Sequence, residues 1–496
     1  MVQLKKFFNC VACLPFKTIL IGLIALAFCA RLYRVTNPIA DWHEFRQADT
    51  ASVTREYVKH GINLLVPKYQ DLSNIQSGSE HNEQDNVNGY RMVEFPIMNA
   101  VIASVIRLQP EFDWQYSLVF VSRMFSIVAS LVALVFLLFL ARDWYGDAAA
   151  IATGIFFGFT PYVVFYSRTV LPEPFLVMGI VLAMWGCWKY VQTRHWGYLA
   201  LWIVAFAYAL LMKPMAVFVL PVFAILILNR FGWKSLLHIE LYIGGFLSIV
   251  PLLLWRWWIQ RYSIGIPVSN WLYNGNGIRL RPAWFRWLFY ERLTKLVFGF
   301  VGVVPFTVGF FTAVKQKSAR FALWIWGGSM LAYLVIFATG NVQHDYYQYI
   351  ISPFFCLTAG VGLARLWQEA AKRRTELLRI GLVFGVVIMF FLMWQQVKGY
   401  YNVNNWDMVH AGEAADRVLP ASAKVIAPYD GDTAFLFATN RIGWPIGFAI
   451  DQKIAEGAQY YVSLNYDDET NALMKKYTVI AQTKDWVIID LTRPKK

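Results

Sequence analysis

The 496-residue chain is 58% hydrophobic and 17% aromatic but only 15% charged, which excludes an ordinary soluble enzyme of this length and points to a polytopic membrane protein. The formal net charge of +14 does not argue for nucleic acid, because the cations sit in short tracts between apolar runs, where topology and anionic lipid account for them. Of the five cysteines, Cys29, Cys187 and Cys356 lie within apolar runs and Cys10-x-x-Cys13 precedes the first one, so no disulfide framework is implied and no further metal ligands accompany the pair.

Met1 to Lys17 carries Lys5, Lys6 and Lys17 and leads into an apolar run over 18–34. The charge order is that of a signal peptide, but no small-residue cleavage site follows, which predicts an uncleaved first span with a cytoplasmic N-terminus. Further runs at 117–141, 147–166, 174–191, 197–212, 215–229, 238–258, 295–314, 320–338, 349–367 and 379–397 bring the expectation to about eleven spans. Starting inside, each predicted cytoplasmic loop is basic: Arg142; Lys189 and Arg194; Arg230 and Lys234; Lys315, Lys317 and Arg320; Lys372, Arg373 and Arg374. The positive-inside rule is satisfied. The loop 35–117, the segments 167–174, 260–294 and 339–348, and the C-terminus then share the opposite face.

The chemistry concentrates on that face. Directly after the first span, Asp41, Glu44 and Asp49 lie with His43 and Arg46 in the run DWHEFRQADT. A carboxylate at the edge of low dielectric has a raised proton affinity and is suited to accept a hydroxyl proton, although a solvated helix start reads the same way. Glu94-Phe95-Pro96 precedes the apolar stretch 97–106, too short to span and suited to the interface. Arg168 and Glu173 flank Leu171-Pro172, Lys213-Pro214 separates two short runs, and His344, Asp345, Tyr346 and Tyr347 open a late one; each is an ionisable or polar group near membrane depth. In 260–294, Arg261, Arg279, Arg281, Arg286 and Arg292 face the single acid Glu291. Interleaved with Trp271, Trp284 and Trp287, they fit a lipid-borne phosphate or ordinary anionic headgroups.

After Lys398 the composition becomes that of a soluble domain. A helix is expected over 407–418, strands over 424–427 and 460–464, and two strands over 477–491 around Thr483-Lys484-Asp485. The expected organisation is a helical membrane domain over 1–398 and a small α/β domain over 399–496. Asp430-Gly431-Asp432 is expected to be a turn and helix cap rather than a metal-binding Asp-x-Asp. No Asn-x-Ser/Thr acceptor occurs, which favours a bacterial envelope.

The order of these features resembles the GT-C superfamily of polyprenyl-phosphate-sugar-dependent glycosyltransferases, in the branch of the lipid A aminoarabinose transferase and the protein O-mannosyltransferases. The resemblance covers about residues 15 to 400 through short, degenerate motifs. His43-Glu44-Phe45-Arg46-Gln47-Ala48-Asp49 is similar to that branch's Asp-Glu-x-Arg-x-Ala-Glu, with His43 in place of the first acid. Glu94-Phe95-Pro96-Ile97 resembles Glu-Lys-Pro-Pro without its lysine, Ser167-Arg168 with Glu173 resembles Ser/Ala-Arg...Asp, and Met212-Lys213-Pro214 resembles Thr-Lys-Gly-Pro.

The resemblance implies an inverting glycosyltransferase of the outer face of a bacterial inner membrane, with the C-terminal domain extracytoplasmic. It would move a sugar from a polyprenyl-phosphate donor to an envelope glycan, lipid or protein. Glu44 or Asp41 is the expected base. Arg46, Arg91, Glu94, Arg168, Lys213, Arg279, Arg281, His344, Tyr346 and Tyr347 are the expected donor-phosphate or substrate contacts. No cofactor is required, and a divalent metal is compatible with the reading. The competing reading, a transporter or flippase for a lipid-linked or anionic substrate, lacks the internal repeat and midplane charges such proteins often show.

Overall fold

The computed structural model describes residues 15–77, 85–109, 114–373 and 375–495; Lys5, Lys6, Cys10 and Cys13 lie outside them. The protein is mostly helical, and among the described residues seven helical stretches are long and apolar enough to cross a membrane: Ser117–Tyr145, Glu173–Thr193, Pro214–Leu237, Ile239–Ile259, Lys317–Ile336, Asp345–Lys372 and Glu376–Val418. It is an integral membrane protein.

The remaining expected spans are shorter or broken. Phe16–Arg31 and Trp196–Met212 are single helices of 16 and 17 residues. The run 147–166 divides at Thr160 into Asp147–Phe159 and Pro161–Tyr166, because Pro161 biases the preceding residue away from helical geometry and suits a new helix start. The run 295–314 is interrupted where Gly299 and Phe300 adopt φ of 49° and 61°; only Val303–Phe310 remains α-helical there.

Small residues set the closest helix approaches. A Cβ on Gly309 would lie 1.8 Å from the Thr358 carbonyl oxygen, and one on Gly362 would lie 1.7 Å from that of Pro305. Helix Ser352–Lys372 therefore meets Val303–Phe310 backbone to backbone, as small-residue interfaces in membranes allow.

The C-terminal segment forms a five-stranded sheet in the order β2-β1-β3-β5-β4, from β1 (Lys424–Ile426), β2 (Ile442–Trp444), β3 (Tyr460–Ser463), β4 (Tyr477–Gln482) and β5 (Val487–Pro494). β1 is parallel to β2 and β3, while β5 is antiparallel to β3 and β4. Helices Trp406–Val418, Thr433–Ala438, Ile450–Ala455 and Asp468–Lys476 complete it. The expected elements are present; β2 and the three short helices are additional.

This sheet is built onto the first loop. Gly443 on edge strand β2 receives a hydrogen bond from Leu72 N–H at 2.7 Å and donates to the Gln70 carbonyl at 2.9 Å. The loop thus covers an edge that would otherwise expose unpaired backbone groups. One apolar cluster runs from the helices through Val425, Ala434 and Phe435.

Candidate active site

The centre of the site is the helix Glu44–His60, EFRQADTASVTREYVKH, whose residues from Gln47 to Tyr57 are all buried although its composition is polar. A helix polar on all sides is held inside a protein only by a network of partners. That network joins the first loop to 167–174, to 339–348 and to the C-terminal segment.

Asp41 has no exposure. Its oxygens accept from Gln47 at 2.7 Å, Arg168 at 3.0 Å and Arg123 at 3.2 Å. With two guanidinium groups and an amide donating to it, its lone pairs are occupied, which suits a positioning role better than the base role expected beside Glu44. Arg168 likewise sits against Asp41 and the Arg34 carbonyl rather than facing a cavity.

Asp49 has a similar role further along the helix. It accepts from Arg91 at 2.9 Å, Gln76 at 3.0 Å and Thr433 at 2.8 Å, so the first loop and the C-terminal segment meet on a single buried carboxylate.

Glu44 is the first residue of the helix, 8% exposed, and accepts one hydrogen bond from Asn404 at 3.0 Å. Burial, then the neighbouring Asp432 and Asp41 charges, outweigh that bond and push its carboxyl up to about 7. Burial also pushes Asp432 up to about 6. Asp432 caps helix Thr433–Ala438 by accepting from Ala434 N–H at 2.7 Å, the turn-and-cap expected from the sequence.

Residues two apart on a helix do not share a face, and Arg46 points elsewhere than Glu44. Arg46 pairs with Glu94 and lines a cavity of about 400 Å³. Burial would raise the Glu94 carboxyl, but Arg46 and Lys213 hold it at about 2. Four cations, Arg46, Arg91, Lys213 and Arg256, face the cavity against the one acid Glu94. Its other walls are largely apolar and include Leu211, Met215, Leu252, Trp255, Ile266 and Leu272. Lys213 pairs with Glu173 and sits over the rings of Tyr347 and Tyr346 at 4.9 and 5.4 Å. Tyr347 lines the cavity, and His344 packs against the lining residue Trp271 with ring centres 5.6 Å apart.

Arg279 and Arg281 do not line this cavity. Arg279 donates to the carbonyls of Tyr273 and Ile336 at 3.1 and 3.0 Å, and Arg281 is exposed. Arg256, which the sequence places at the end of a span, lines the cavity instead.

Asp345 is the member of HDYY that the sequence marks as ionisable but does not place among the expected contacts. Wholly buried, it accepts from Tyr166 and Tyr400 at 2.5 Å each and from Trp42 at 3.1 Å; Arg292 lies at 3.4 Å, and His43 Nε2 is 2.6 Å away. His43 is left-handed, with φ of 59°, an uncommon state for a residue with a side chain. Its bond to Asp345 fixes it there. Through His43, the loop is thus joined to a buried carboxylate of another segment. Among the described residues no group of three or more His, Cys, Asp and Glu side chains is arranged to hold a metal ion.

The sequence profile of a family described as dolichyl-phosphate-mannose-protein mannosyltransferase matches residues 116–258. Among solved structures, the chain is similar to ArnT from Cupriavidus metallidurans bound to undecaprenyl phosphate, with a TM-score of 0.67 and 14% identity over 95% of this chain and 97% of that one. It is also similar to the archaeal oligosaccharyltransferase AglB from Archaeoglobus fulgidus in complex with an inhibitory peptide and a dolichol-phosphate, with a TM-score of 0.61 and 10% identity over 90% and 69% of the two chains. No curated protein sequence matches. The chain therefore shares the fold of these solved structures.

Proposed function

We propose that the protein is an inverting glycosyltransferase that takes a sugar from a polyprenyl-phosphate donor and passes it to an acceptor hydroxyl at the outer face of a bacterial plasma membrane. The observation that carries this reading is the pairing of an apolar cavity bearing four cations with a carboxyl pushed up to about 7 at the start of the helix that supplies one of them.

The cavity's apolar walls suit the first isoprene units, and Arg46, Arg91, Lys213 and Arg256 surround the place of the phosphate. The acceptor oxygen attacks the anomeric carbon from the side opposite the phosphate, its O–H proton passes to Glu44, and the bond from the anomeric carbon to the phosphate oxygen breaks. Negative charge grows on the departing phosphate, and the fixed cations stabilise it most at that point. Glu94 lines the cavity itself, but held at about 2 it is a poor proton acceptor; its work is to orient Arg46 and balance charge. Asp41 and Arg168 fix the loop. That solved relatives of the fold were captured with undecaprenyl phosphate and with a dolichol-phosphate supports a lipid-phosphate donor.

The test is release of polyprenyl phosphate from a synthetic panel of polyprenyl-phosphate sugars in an envelope extract, followed by mass spectrometry, for wild type, Glu44→Gln and Asp41→Asn. Turnover by wild type with loss in Glu44→Gln and retained donor binding is the expected result. Binding or movement of the lipid between leaflets without turnover in any form would refute catalysis in favour of transport.

A further inference from the structure

The side of the site away from the phosphate cavity holds a second, differently built set of groups. Trp42 is 38% exposed, yet it is fixed in three ways. Its indole N–H donates to Asp345 at 3.1 Å. One ring face stacks on Tyr400 with centres 4.8 Å apart and planes 12° apart. Its backbone N–H donates to the Tyr400 carbonyl at 3.2 Å. A tryptophan that anchors a protein at a membrane surface turns its N–H outward toward headgroups and water. Here the N–H is turned inward onto a buried carboxylate, and the His43 ring meets the indole at 5.1 Å between centres, so the ring is held in place while 38% of the residue stays exposed.

Arg292 and His43 lie on its Asp345 side, whereas the groups on its Glu44 side are neutral or acidic hydrogen-bonding groups. The exposed Asn404 reaches Glu44, and its backbone N–H is bound to the Ala40 carbonyl at 2.6 Å. Tyr429, Asp430, Gly431 and Asp432 form a tight turn, with Asp430 and Gly431 at φ of 52° and 79° and the Asp432 N–H on the Tyr429 carbonyl at 2.7 Å. The turn sets Asp432 and Tyr429 beside Glu44.

We propose that Trp42 is the stacking platform of an acceptor subsite for a saccharide, bordered by Asn404 and Asp432, with the attacking hydroxyl directed at Glu44. This deepens the glycosyltransferase reading and rests on it for the meaning of acceptor. A pyranose has one face of polarised C–H bonds and a rim of hydroxyls. The electron-rich face of an indole attracts the first, and paired amide and carboxylate oxygens match the second. Because the ring is already held by Asp345 and Tyr400, little side-chain entropy is lost on binding. An acyl chain would leave the amide and carboxylates without partners, and a cationic peptide would engage the acids without needing the exposed indole.

Calorimetric titration of the full chain in detergent tests this without relying on turnover. The probes are a panel of neutral tetrasaccharides, a lysine-rich decapeptide and undecaprenyl phosphate, applied to wild type, Trp42→Ala and Trp42→Phe. At least one tetrasaccharide should bind wild type, bind Trp42→Ala about 10-fold more weakly or worse, and bind Trp42→Phe within about 3-fold of wild type, as expected for a lost and a retained aromatic face. Undecaprenyl phosphate should bind all three forms equally. The proposal is overturned if wild type binds undecaprenyl phosphate but no tetrasaccharide, if it binds only the peptide, or if Trp42→Ala binds saccharide as wild type does. Loss of undecaprenyl phosphate binding by wild type would instead count against the donor cavity, and the saccharide titration is read separately from it.

Discussion

Replacing Glu44 by Gln should make the protein more stable at alkaline pH while removing its activity. Glu44 is pushed from an ordinary value of 4.5 to about 7 in the folded chain. The folded state therefore holds the proton more tightly than the unfolded one. The stability this confers is complete below pH 4.5 and is lost as the pH rises through 7. The span of 2.5 units between those values, at 1.36 kcal/mol for each, amounts to about 3 kcal/mol. Gln resembles the protonated acid, keeps an oxygen for Asn404 and does not titrate. The variant and wild type should thus unfold alike near pH 4.5, and the variant should be the more resistant by about 3 kcal/mol at pH 8. Pulse proteolysis of the detergent-solubilised proteins across that range reads the difference. A gap that stays constant with pH would refute the raised proton affinity, and with it the case for Glu44 as base. In turnover, the wild-type rate should rise with pH through about 7 and level off, while the variant falls by about 10²- to 10⁴-fold.

Two further substitutions separate the components of the site. Asp345→Asn removes the charge shared by His43, Tyr166, Tyr400, Trp42 and Arg292 and should cost about 3–5 kcal/mol of stability, the usual penalty for breaking a buried ion pair from one side. Thermal unfolding checks it, and a shift no larger than that of a surface substitution would contradict the role of Asp345 as a hub. Arg256→Ala removes an exposed cavity cation and should leave stability within about 0.5 kcal/mol of wild type. It should weaken undecaprenyl phosphate binding about 10-fold or more, the value of a charge-assisted hydrogen bond; Arg281→Ala, away from the cavity, should leave binding unchanged.

Much of the fold is legible in the sequence because apolar run length and basic loops are local signals. The helix Ile97–Ile106 follows its acidic and proline prefix as expected, and the strands at 424, 460 and 477 declare themselves by composition. The break at Thr160 and the Gly299-Phe300 interruption do not, since run length alone is blind to a backbone turn inside an apolar stretch.

At the site, the loop acids, Arg46, Glu94 and Lys213 stand out because charge near membrane depth is conspicuous. Which of them is already occupied is not visible: Asp41 and Glu44 look equivalent until Arg123 and Arg168 are found on one of them. Asp345 and Arg256 are hidden differently. One sits inside a motif conspicuous for its aromatic residues, and the other at the end of a span, where a lone arginine ordinarily marks topology.

The union of the first loop with the last segment has a consequence for how the protein is made. Glu44 meets Asn404 across 360 residues and Asp49 meets Thr433 across 384, and the sheet edge waits for Gly443. At about 5–20 residues per second, the ribosome needs roughly 20–70 s to supply the partner of a loop that has already left it. During that interval the loop's acids stand without their final neighbours and Glu44 is not yet tuned. Under the proposed function, a chain ending before Asn404 lacks the partner of Glu44 and should be inactive, which turnover by such a truncation would contradict.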